Sequence, residues 1–302
     1  MFVVKYRKIF FTLSAILLVL SFYGMFAYGF DLSIDFKGGT LTEVKYVGTL
    51  PTLDELNTKI SALELGGFSV RPSGASNFII RTKELSQAER DTLAQTIGVS
   101  GSTTDSKIER QNTIGPVAGA ELKSKAVKAI AVVVLMIMLF ITFAFRKVSK
   151  PVSSWKFGFA TIIALAHDVI IPTGVFVFLG HFQGIEIDLL FVTGLLAILG
   201  YSVHDTIVVF DRVRENLKIN RDTNNKEEFE ATVGKSVAQT FGRSINTSLT
   251  IFITLLALFL VGSGATKDFA LLLIIGVIVG TYSSIFVASP LLVTFQKWQK
   301  NK

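Results

Sequence analysis

Apolar and polar residues are separated into long blocks along this chain. A helix needs about 20 apolar residues to cross a lipid bilayer. The first long block follows Lys5, Arg7 and Lys8, as a secretion signal would. Its apolar run is too long for a signal core and no clear cleavage site follows it, so we interpret it as an uncleaved anchor. The blocks predict six spans: Ile9–Phe30, Val127–Phe145, Phe157–Leu179, Leu189–Phe210, Ile245–Val261 and Phe269–Phe295.

The segment between the first two spans has shorter periodicities. Alternation of apolar residues predicts strands, and apolar residues three or four positions apart predict helices. Ser86 and Glu89 have the spacing of a capping box at a helix start. The order βαββαβ is typical of a ferredoxin-like sandwich, which implies no function by itself. The predicted elements are Leu41–Val47, Pro51–Leu65, Phe68–Pro72, Phe78–Thr82, Ser86–Ile97 and Ser106–Thr113.

Basic residues in the short loops predict the orientation. The loops at His181–Asp188 and Gly262–Asp268 contain Lys267 as their one lysine or arginine. Short loops rich in lysine and arginine stay in the cytoplasm, so both termini are predicted to be cytoplasmic. The basic positions of the other loops and ends are Lys5, Arg7, Lys8, Arg146, Lys147, Lys150, Lys156, Arg212, Arg214, Lys218, Arg221, Lys226, Lys235, Lys297, Lys300 and Lys302.

The predicted fold class is therefore a polytopic α-helical membrane protein with six transmembrane helices and one α+β ferredoxin-like extracytoplasmic domain. Residues 1–30 form a cytoplasmic stub and the first span, and residues 31–123 form the external domain. Residues 124–302 form the remaining spans, their cytoplasmic loops and a tail.

Composition agrees with a membrane protein and excludes several functions. Apolar residues make up 50% of the chain, charged residues 18%, and mean hydropathy is +0.54. The absence of cysteine excludes disulfides, thiol catalysis and thiolate metal sites. The net charge of +7 is explained by basic cytoplasmic loops, so nucleic acid is not an expected partner.

Asp205 is the most informative residue of the chain. It lies within the stretch GYSVHDTIVVFDRVREN, inside a predicted span, where a carboxylate costs roughly 2.5–3.5 kcal/mol unless it is paired or neutralised. The fifth span begins from the same side of the membrane with Arg243, which predicts that the two side chains pair. A purely structural salt bridge is the alternative to a role in ion movement.

A polar stripe follows Arg243 along the fifth span. Burial and a nearby cation act in opposite directions on the protonation of Asp205, so small movements between spans could switch it. Protonation would then repack the stripe, which is the kind of two-state element that ion coupling needs. The stripe comprises Asn246, Thr247, Thr250 and Thr254 at helical spacing, with Ser244 beside it.

Two further polar groups accompany Asp205. His167 and Asp168 lie near the middle of the third span and suit either a proton relay or a hydrogen-bonded pair that fixes helix packing. Asp211 lies at the predicted membrane boundary. Its position suits either a solvated helix face or a part in proton coupling. The histidines and aspartates have no recognisable metal spacing, so no metal and no cofactor are expected.

Two enzyme classes are excluded by their motifs. Gly234-Lys235-Ser236 hints at a phosphate-binding loop, but Phe229 stands where that loop requires glycine. No GxGD-type pair of an intramembrane aspartyl protease occurs. The chain is not expected to be an enzyme.

Taken together, five segments resemble the SecF family of bacterial protein export. They are DLSIDFKGGT, GPVAGAEL, ALAHDVIIPTG, GYSVHDTIVVFDRVREN and FGRSINTSLT, and the resemblance covers essentially the whole chain. It implies a subunit that pairs with SecD in the bacterial inner membrane and uses the proton-motive force to promote export. It also implies contact with the SecYEG channel, with possible YajC-type auxiliary subunits and with the translocating preprotein.

The resemblance assigns two groups of residues. By position, Asp205 and Arg243 match the proton-coupling pair of the family. A family motif lies where the predicted external domain joins the first and second spans. It comprises Asp35, Phe36, Gly38, Gly39, Gly115 and Pro116. At Asp35, Gly38 and Gly39 we expect close backbone approach or a tight turn. The alternatives are half of an RND-type proton-driven exporter for small solutes or lipids, which predicts an apolar pocket, and a static scaffold.

Overall fold

The structure is a computed structural model that describes residues 2–74, 76–99, 106–146 and 153–300, without the side chains of Ser154, Gln299 and Lys300. Lys147, Lys150 and Lys302, which entered the orientation argument, lie outside the described residues. In chain order the elements are α1 Phe2–Lys5, α2 Arg7–Tyr28, α3 Ile34–Lys37, β1 Gly39–Tyr46, α4 Leu53–Ser61, β2 Phe68–Ser73, β3 Asn77–Thr82, α5 Gln87–Thr96, β4 Ser106–Ile114, α6 Pro116–Ala144, α7 Ser154–Gln183, α8 Leu189–Asp222, α9 Phe229–Val261, α10 Gly264–Ser283, a π-helix Ser284–Ala288 and α11 Ser289–Lys300.

Six helical segments of the described chain are long and apolar enough to cross a membrane, which confirms the number predicted from the sequence. The sixth consists of α10, the π-helix and α11 in succession. Within their most apolar windows, 56% of α7, 56% of α8 and 61% of the sixth segment are buried. The corresponding shares are 17% for α2, 6% for α6 and 11% for α9. The helices α7, α8 and α10 therefore form the centre of the bundle.

Several helices extend beyond the apolar stretches that predicted them. The α8 helix continues past Phe210 to Asp222, and α9 begins at Phe229, well before the apolar part of its sequence. Polar contacts hold these extensions together as a hairpin. Asn216 donates to Ser236 at 2.8 Å, and Asn220 donates to Thr232 at 3.1 Å, all four side chains being buried. The pair of buried amides explains why a hydrophilic stretch is helical here.

The segment between α2 and α6 forms a four-stranded antiparallel sheet with the order β2-β3-β1-β4. The predicted order of strands and helices is confirmed. One face of the sheet packs on both helices through a core that includes Val44, Ile80, Leu56, Ile60 and Leu93. Alternation along the strands turns their remaining side chains away from these helices.

Two capping boxes begin the helices of this segment. Ser86 accepts from the Glu89 backbone N–H, and Glu89 accepts from the Ser86 backbone N–H, as the spacing predicts. Thr52 and Glu55 form the same arrangement at the start of α4. Each box satisfies two backbone donors that the helix itself leaves unpaired.

The junction between α3 and the sheet requires glycine, as predicted. Gly38 and Gly39 have φ of +79° and +133°. A Cβ on Gly39 would lie 2.5 Å from the carbonyl oxygen of Thr82, and one on Gly38 would lie 2.9 Å from the Cα of Pro116. Only glycine combines this backbone conformation with such close approach. The first turn of α6 is thereby seated directly against the chain that leaves α3.

Candidate functional site: two buried carboxylates among the central helices

Asp205 lies on the inner side of α8 and is 6% exposed. Its Oδ1 accepts a hydrogen bond of 2.6 Å from the hydroxyl of Ser244 on α9. Among the described residues its Oδ2 has no hydrogen-bond partner. A carboxylate with one hydroxyl donor is poorly compensated for its lost hydration, so a change in its protonation is energetically accessible.

The expected ion pair between Asp205 and Arg243 is not formed in this structure. Arg243 is exposed on the side of α9 that faces away from the bundle, and no described carboxylate lies within ion-pair distance of it. The neighbouring Ser244 takes the inward position instead.

The predicted polar stripe also faces outward. All its members are exposed, and two of its hydroxyls bond within α9, from Thr250 to the carbonyl of Asn246 and from Thr254 to that of Thr250. We call this exposed set the outer polar face; it comprises His204 on α8 and Arg243, Asn246, Thr247, Thr250 and Thr254 on α9. The stripe shares one side of the helix, as predicted, but that side does not contact the rest of the bundle.

Asp168 on α7 is the second buried carboxylate and is 0% exposed. It accepts hydrogen bonds from Ser202 on α8 and from Ser283 on α10, the latter at 2.7 Å. Its other oxygen lies 2.9 Å from Nδ1 of His167. Asp168 therefore ties the three central helices together. His167 is buried beside it, and its Nε2 has no hydrogen-bond partner within the described ranges.

Further hydroxyl groups of α8, α9 and the last span contact one another. The Tyr201 and Ser248 hydroxyls are hydrogen bonded, and Ser248 lies 2.6 Å from the hydroxyl of Thr281. Thr206 is 2.8 Å from Ser284, which begins the π-helix. Ser202, which donates to Asp168, lies three positions before Asp205 on the same face of α8.

The serines that hold Asp168, Ser202 and Ser283, were not predicted as its partners. The sequence did indicate that Ser202 would be buried, because it precedes Asp205 by three positions and so lies on the same face of the helix. The π-helix, a feature often found at functional sites, has no simple sequence signature.

Asp211 lies apart from both carboxylates. It is exposed and lies 3.4 Å from Arg214 one turn further along α8. The structure therefore places it on a solvated helix face and not in the buried cluster. Within the part of the chain that is described, no three histidine, aspartate or glutamate side chains come together as a metal site would require.

Asp35 and its neighbours link the segment that forms the four-stranded sheet to the bundle. Oδ2 of Asp35 accepts a hydrogen bond of 2.8 Å from the backbone N–H of Leu189, at the start of α8. Asp188 caps the same helix by accepting from Phe191 at 2.7 Å. Two carboxylates at a helix N-terminus interact favourably with its dipole. Phe36 is buried in the cluster that includes Phe191 and Leu195, and Pro116 begins α6 directly after Gly115.

An apolar groove runs between α9 and α10 on the outside of the bundle. Phe241, Leu249, Phe252, Ile278 and Phe286 line it, and the hydroxyls of Ser248 and Thr281 lie at its base. This is the kind of feature that the exporter alternative predicts.

Comparison with known proteins identifies the family. A family model described as protein export membrane protein SecD/SecF, C-terminal, matches residues 95–298, and a SecD/SecF GG motif matches residues 23–49. The chain belongs to the SecD/SecF family. The GG match contains Asp35, Gly38 and Gly39, and the longer match contains both buried carboxylates.

Individual SecF proteins resemble almost the whole chain. A protein translocase subunit SecF of Thermobaculum terrenum is 37% identical over 97% of this chain and 93% of its own length. The SecF subunit of Anaerolinea thermophila is 36% identical over 96% of this chain and 92% of its own. A crystal structure of SecDF from Thermus thermophilus, described as a translocon-associated membrane protein, superposes with a TM-score of 0.84 at 32% identity. It covers 99% of this chain, which spans 38% of the SecDF chain.

Proposed function

We propose that this chain is the SecF-type subunit of a SecD–SecF complex and that protonation of Asp205 couples the proton-motive force to protein export. Family membership supports the role of a protein translocase subunit. The SecDF relative, in which a segment like this one is part of a longer single chain, supports SecD as the partner. The use of the proton-motive force rests on the site.

The observation that carries this proposal is the environment of Asp205. The carboxylate is buried in a helix of a membrane-spanning bundle with a single hydroxyl donor, while Asp168 nearby has three polar partners. A proton arriving at Asp205 removes a charge from the bundle interior. A membrane potential contributes about 2.3 kcal/mol per charge per 100 mV, which is enough to bias a conformational equilibrium without a nucleotide.

The outer polar face supports a partner subunit against α9. Arg243 lies just before the predicted fifth span and is exposed in the isolated chain, and the outer polar face continues from it into the span. A protein surface that covers this face would bring its polar side chains against polar partners instead of lipid. In such a complex Arg243 would lie between the two subunits, where a small rotation could bring it to Asp205.

The finer architecture belongs to the same proposal. The strand order supports a ferredoxin-like domain at residues 31–123 on the outer side of the bacterial inner membrane. Residues 1–30 would comprise the cytoplasmic stub and the first span, and residues 124–302 would carry the other spans, with both termini cytoplasmic. The lipid bilayer, the SecYEG channel, YajC-type auxiliary subunits and the translocating preprotein complete the proposed surroundings.

The test is export of a reporter protein in cells whose sole copy carries Asp205→Asn. This change keeps size and hydrogen-bonding capacity but prevents titration. We expect export to fall at least tenfold, with SecD still co-purifying in normal amount. Asp222→Asn is the matched control, because Asp222 is an exposed carboxylate at the cytoplasmic end of the same helix.

Normal export by the Asp205→Asn strain would favour a static scaffold over proton coupling. The groove between α9 and α10 favours the exporter alternative. The SecF relatives from Thermobaculum terrenum and Anaerolinea thermophila, however, are both named protein translocase subunits. If the variant exported proteins normally and lost resistance to apolar toxic compounds, the exporter function would replace the translocase function.

A further inference from the structure

The two oxygens of the Asp205 carboxylate are not equivalent. The hydroxyl of Ser244, a side chain that is 1% exposed, donates to Oδ1 at 2.6 Å. The second oxygen, Oδ2, is buried and has no hydrogen-bond partner among the described residues. One oxygen is therefore held by α9, and the other is the oxygen at which a proton can bind.

Two serines mark the inner side of the membrane-crossing part of α9. From Arg243 to the end of this helix, which the structure describes throughout, Ser244 and Ser248 are the only buried residues. One turn after Ser244, the hydroxyl of Ser248 contacts those of Tyr201 on α8 and Thr281 on α10. The other side chains of this part are half-buried or exposed. Of the two serine contacts, the one that Ser244 makes with the carboxylate is the one that depends on a charge.

A proton changes the strength of this contact. Because the hydroxyl of Ser244 occupies Oδ1, the new O–H bond forms at Oδ2, and Oδ1 becomes the carbonyl oxygen of a neutral acid. A hydrogen bond to an ionised oxygen is roughly twice as strong as one between neutral groups. Protonation of Asp205 therefore weakens the hold of Ser244 on it and, with it, the attachment of α9 to α8.

We propose that Ser244 is the positioning residue of the proton-coupling site. Its hydroxyl holds Oδ1 of the ionised Asp205, leaves Oδ2 as the oxygen that takes the proton, and loosens its hold once the proton has bound. This inference rests on the proposed proton coupling at Asp205. Because α9 also carries the outer polar face, a weaker hold at Ser244 would let that face turn against the partner subunit.

Other titratable groups at this depth of the bundle must be separated from Asp205. The α6 helix has none between Lys128 and Arg146. Asp205→Asn leaves the other groups in place, so a signal that is lost in this variant belongs to Asp205. The groups are Tyr201 and His204 from α8, Arg243 from α9, His167 and Asp168 from α7 and Tyr282 from α10.

Infrared spectroscopy of the complete SecD–SecF complex in lipid nanodiscs tests this assignment. The C=O band of protonated carboxyl groups is followed from pH 4 to pH 10, and the part that Asp205→Asn removes is assigned to Asp205. In Ser244→Ala the ionised form loses its hydrogen bond, so half-protonation should occur about one to two pH units higher than in the unmodified complex. The band should also move to higher frequency, because its C=O group no longer accepts a hydrogen bond.

Two variants separate positioning from packing. Ser244→Thr keeps the hydroxyl, so the midpoint and the band frequency should return to those of the unmodified complex. Ser248→Ala removes the other buried serine of this part of α9, whose hydroxyl contacts Tyr201 and Thr281. It should leave both readings unchanged. The amount of co-purified SecD and thermal melting verify the assembly of each variant.

An unchanged midpoint and band frequency in Ser244→Ala, or equal changes in Ser248→Ala, would overturn the proposal. Failure of the proposed function gives a different result. If no part of the band depends on Asp205 at any pH in this range, proton coupling at Asp205 fails together with this inference. If the band titrates with one midpoint in the unmodified complex and in both alanine variants, only the role of Ser244 fails.

Discussion

At the scale of single residues, the two buried carboxylates differ in how completely they are bound. Asp168 has hydroxyl donors from two other helices and an imidazole nitrogen beside it. Asp205 has one hydroxyl donor and one oxygen without a hydrogen bond among the described residues. A fully bound carboxylate stabilises one arrangement of helices, whereas an incompletely bound one responds to protonation.

Replacement of Asp168 should therefore affect stability more than replacement of Asp205. In Asp168→Ala the hydroxyls of Ser202 and Ser283 and the ring of His167 lose their acceptor, which should cost about 3–5 kcal/mol. Ser283→Ala removes one donor and should cost about 1 kcal/mol. Thermal melting of the purified complex measures both. A melting temperature of Asp168→Ala equal to that of the unmodified complex would contradict this assignment.

The sequence identifies the two buried carboxylates but not their partners. The apolar surroundings of Asp205 and Asp168 mark both without any structure. Helical spacing then groups Arg243 with Thr247 and Thr250 on one side of α9, but it cannot state which side faces inward. Ser244 and Ser248 on the opposite side are equally compatible with burial, and they are the ones that contact the bundle.

At the scale of elements, α8 and α10 approach each other closely and carry the two serines that bind Asp168. A Cβ on Gly276 would lie 2.2 Å from atoms of the Ile198 side chain, and one on Gly280 would lie 3.2 Å from Ser202. Small residues at helix contacts in membranes allow backbones to approach in this way. Ser202 on α8 and Ser283 on α10 can bind the same carboxylate because no large side chain holds these two helices apart.

Gly276→Ala should separate these helices. Ile198 is 1% exposed and has no room to move, so overpacking should cost about 1–3 kcal/mol. Gly200→Ala is the matched control, since a Cβ there meets no described atom within 4 Å. The comparison is made by thermal melting of the two complexes. Equal melting temperatures for the two alanine variants would show that this contact is not tight.

Element boundaries were less predictable than element types. Hydropathy marks the part of a helix that meets lipid, so it ends α8 near Phe210. The continuation to Asp222 depends on amide and hydroxyl pairs with α9, such as Asn216 with Ser236, which appear only when the hairpin is assembled. The capping box at Ser86 was readable because both partners lie within four positions of each other.

At the scale of the whole molecule, the peripheral helices expose different kinds of surface. The outward sides of α2 and α6 are apolar, with Ile16 at 52% and Val132 at 56% exposure. The outward side of α9 carries the outer polar face. This difference distinguishes a side suited to lipid from a side suited to another protein.

Cross-linking can test that distinction in the cysteine-free chain. A photoreactive label on Thr250→Cys should join α9 to the partner subunit, because the polar face needs a protein cover. The same label on Val132→Cys of α6 should react mainly with lipid. The products are separated by mass on a gel and identified by antibody against the partner. Equal labelling of the partner from both positions would contradict the proposed interface.

The two chain ends are joined at a single carboxylate. Glu230 at the start of α9 lies 2.8 Å from Arg7 and 2.5 Å from Lys297. Its side chain is 33% exposed, so the contribution to global stability is small. In Glu230→Gln we expect faster trypsin cleavage near Arg7 and Lys297 with little change in melting temperature. Glu215→Gln, which removes an exposed partner of Arg212, should leave the cleavage rate unchanged.

The π-helix at Ser284–Ala288 determines the rotational phase between the two parts of the last span. Each residue of an α-helix advances the chain by about 100°, so one additional residue in a wide turn rotates all that follows by roughly that angle. Before this turn Ser283 points to Asp168, and after it Lys297 points to Glu230. The additional residue therefore sets the angle about the helix axis between the serine that binds Asp168 and the lysine that binds Glu230.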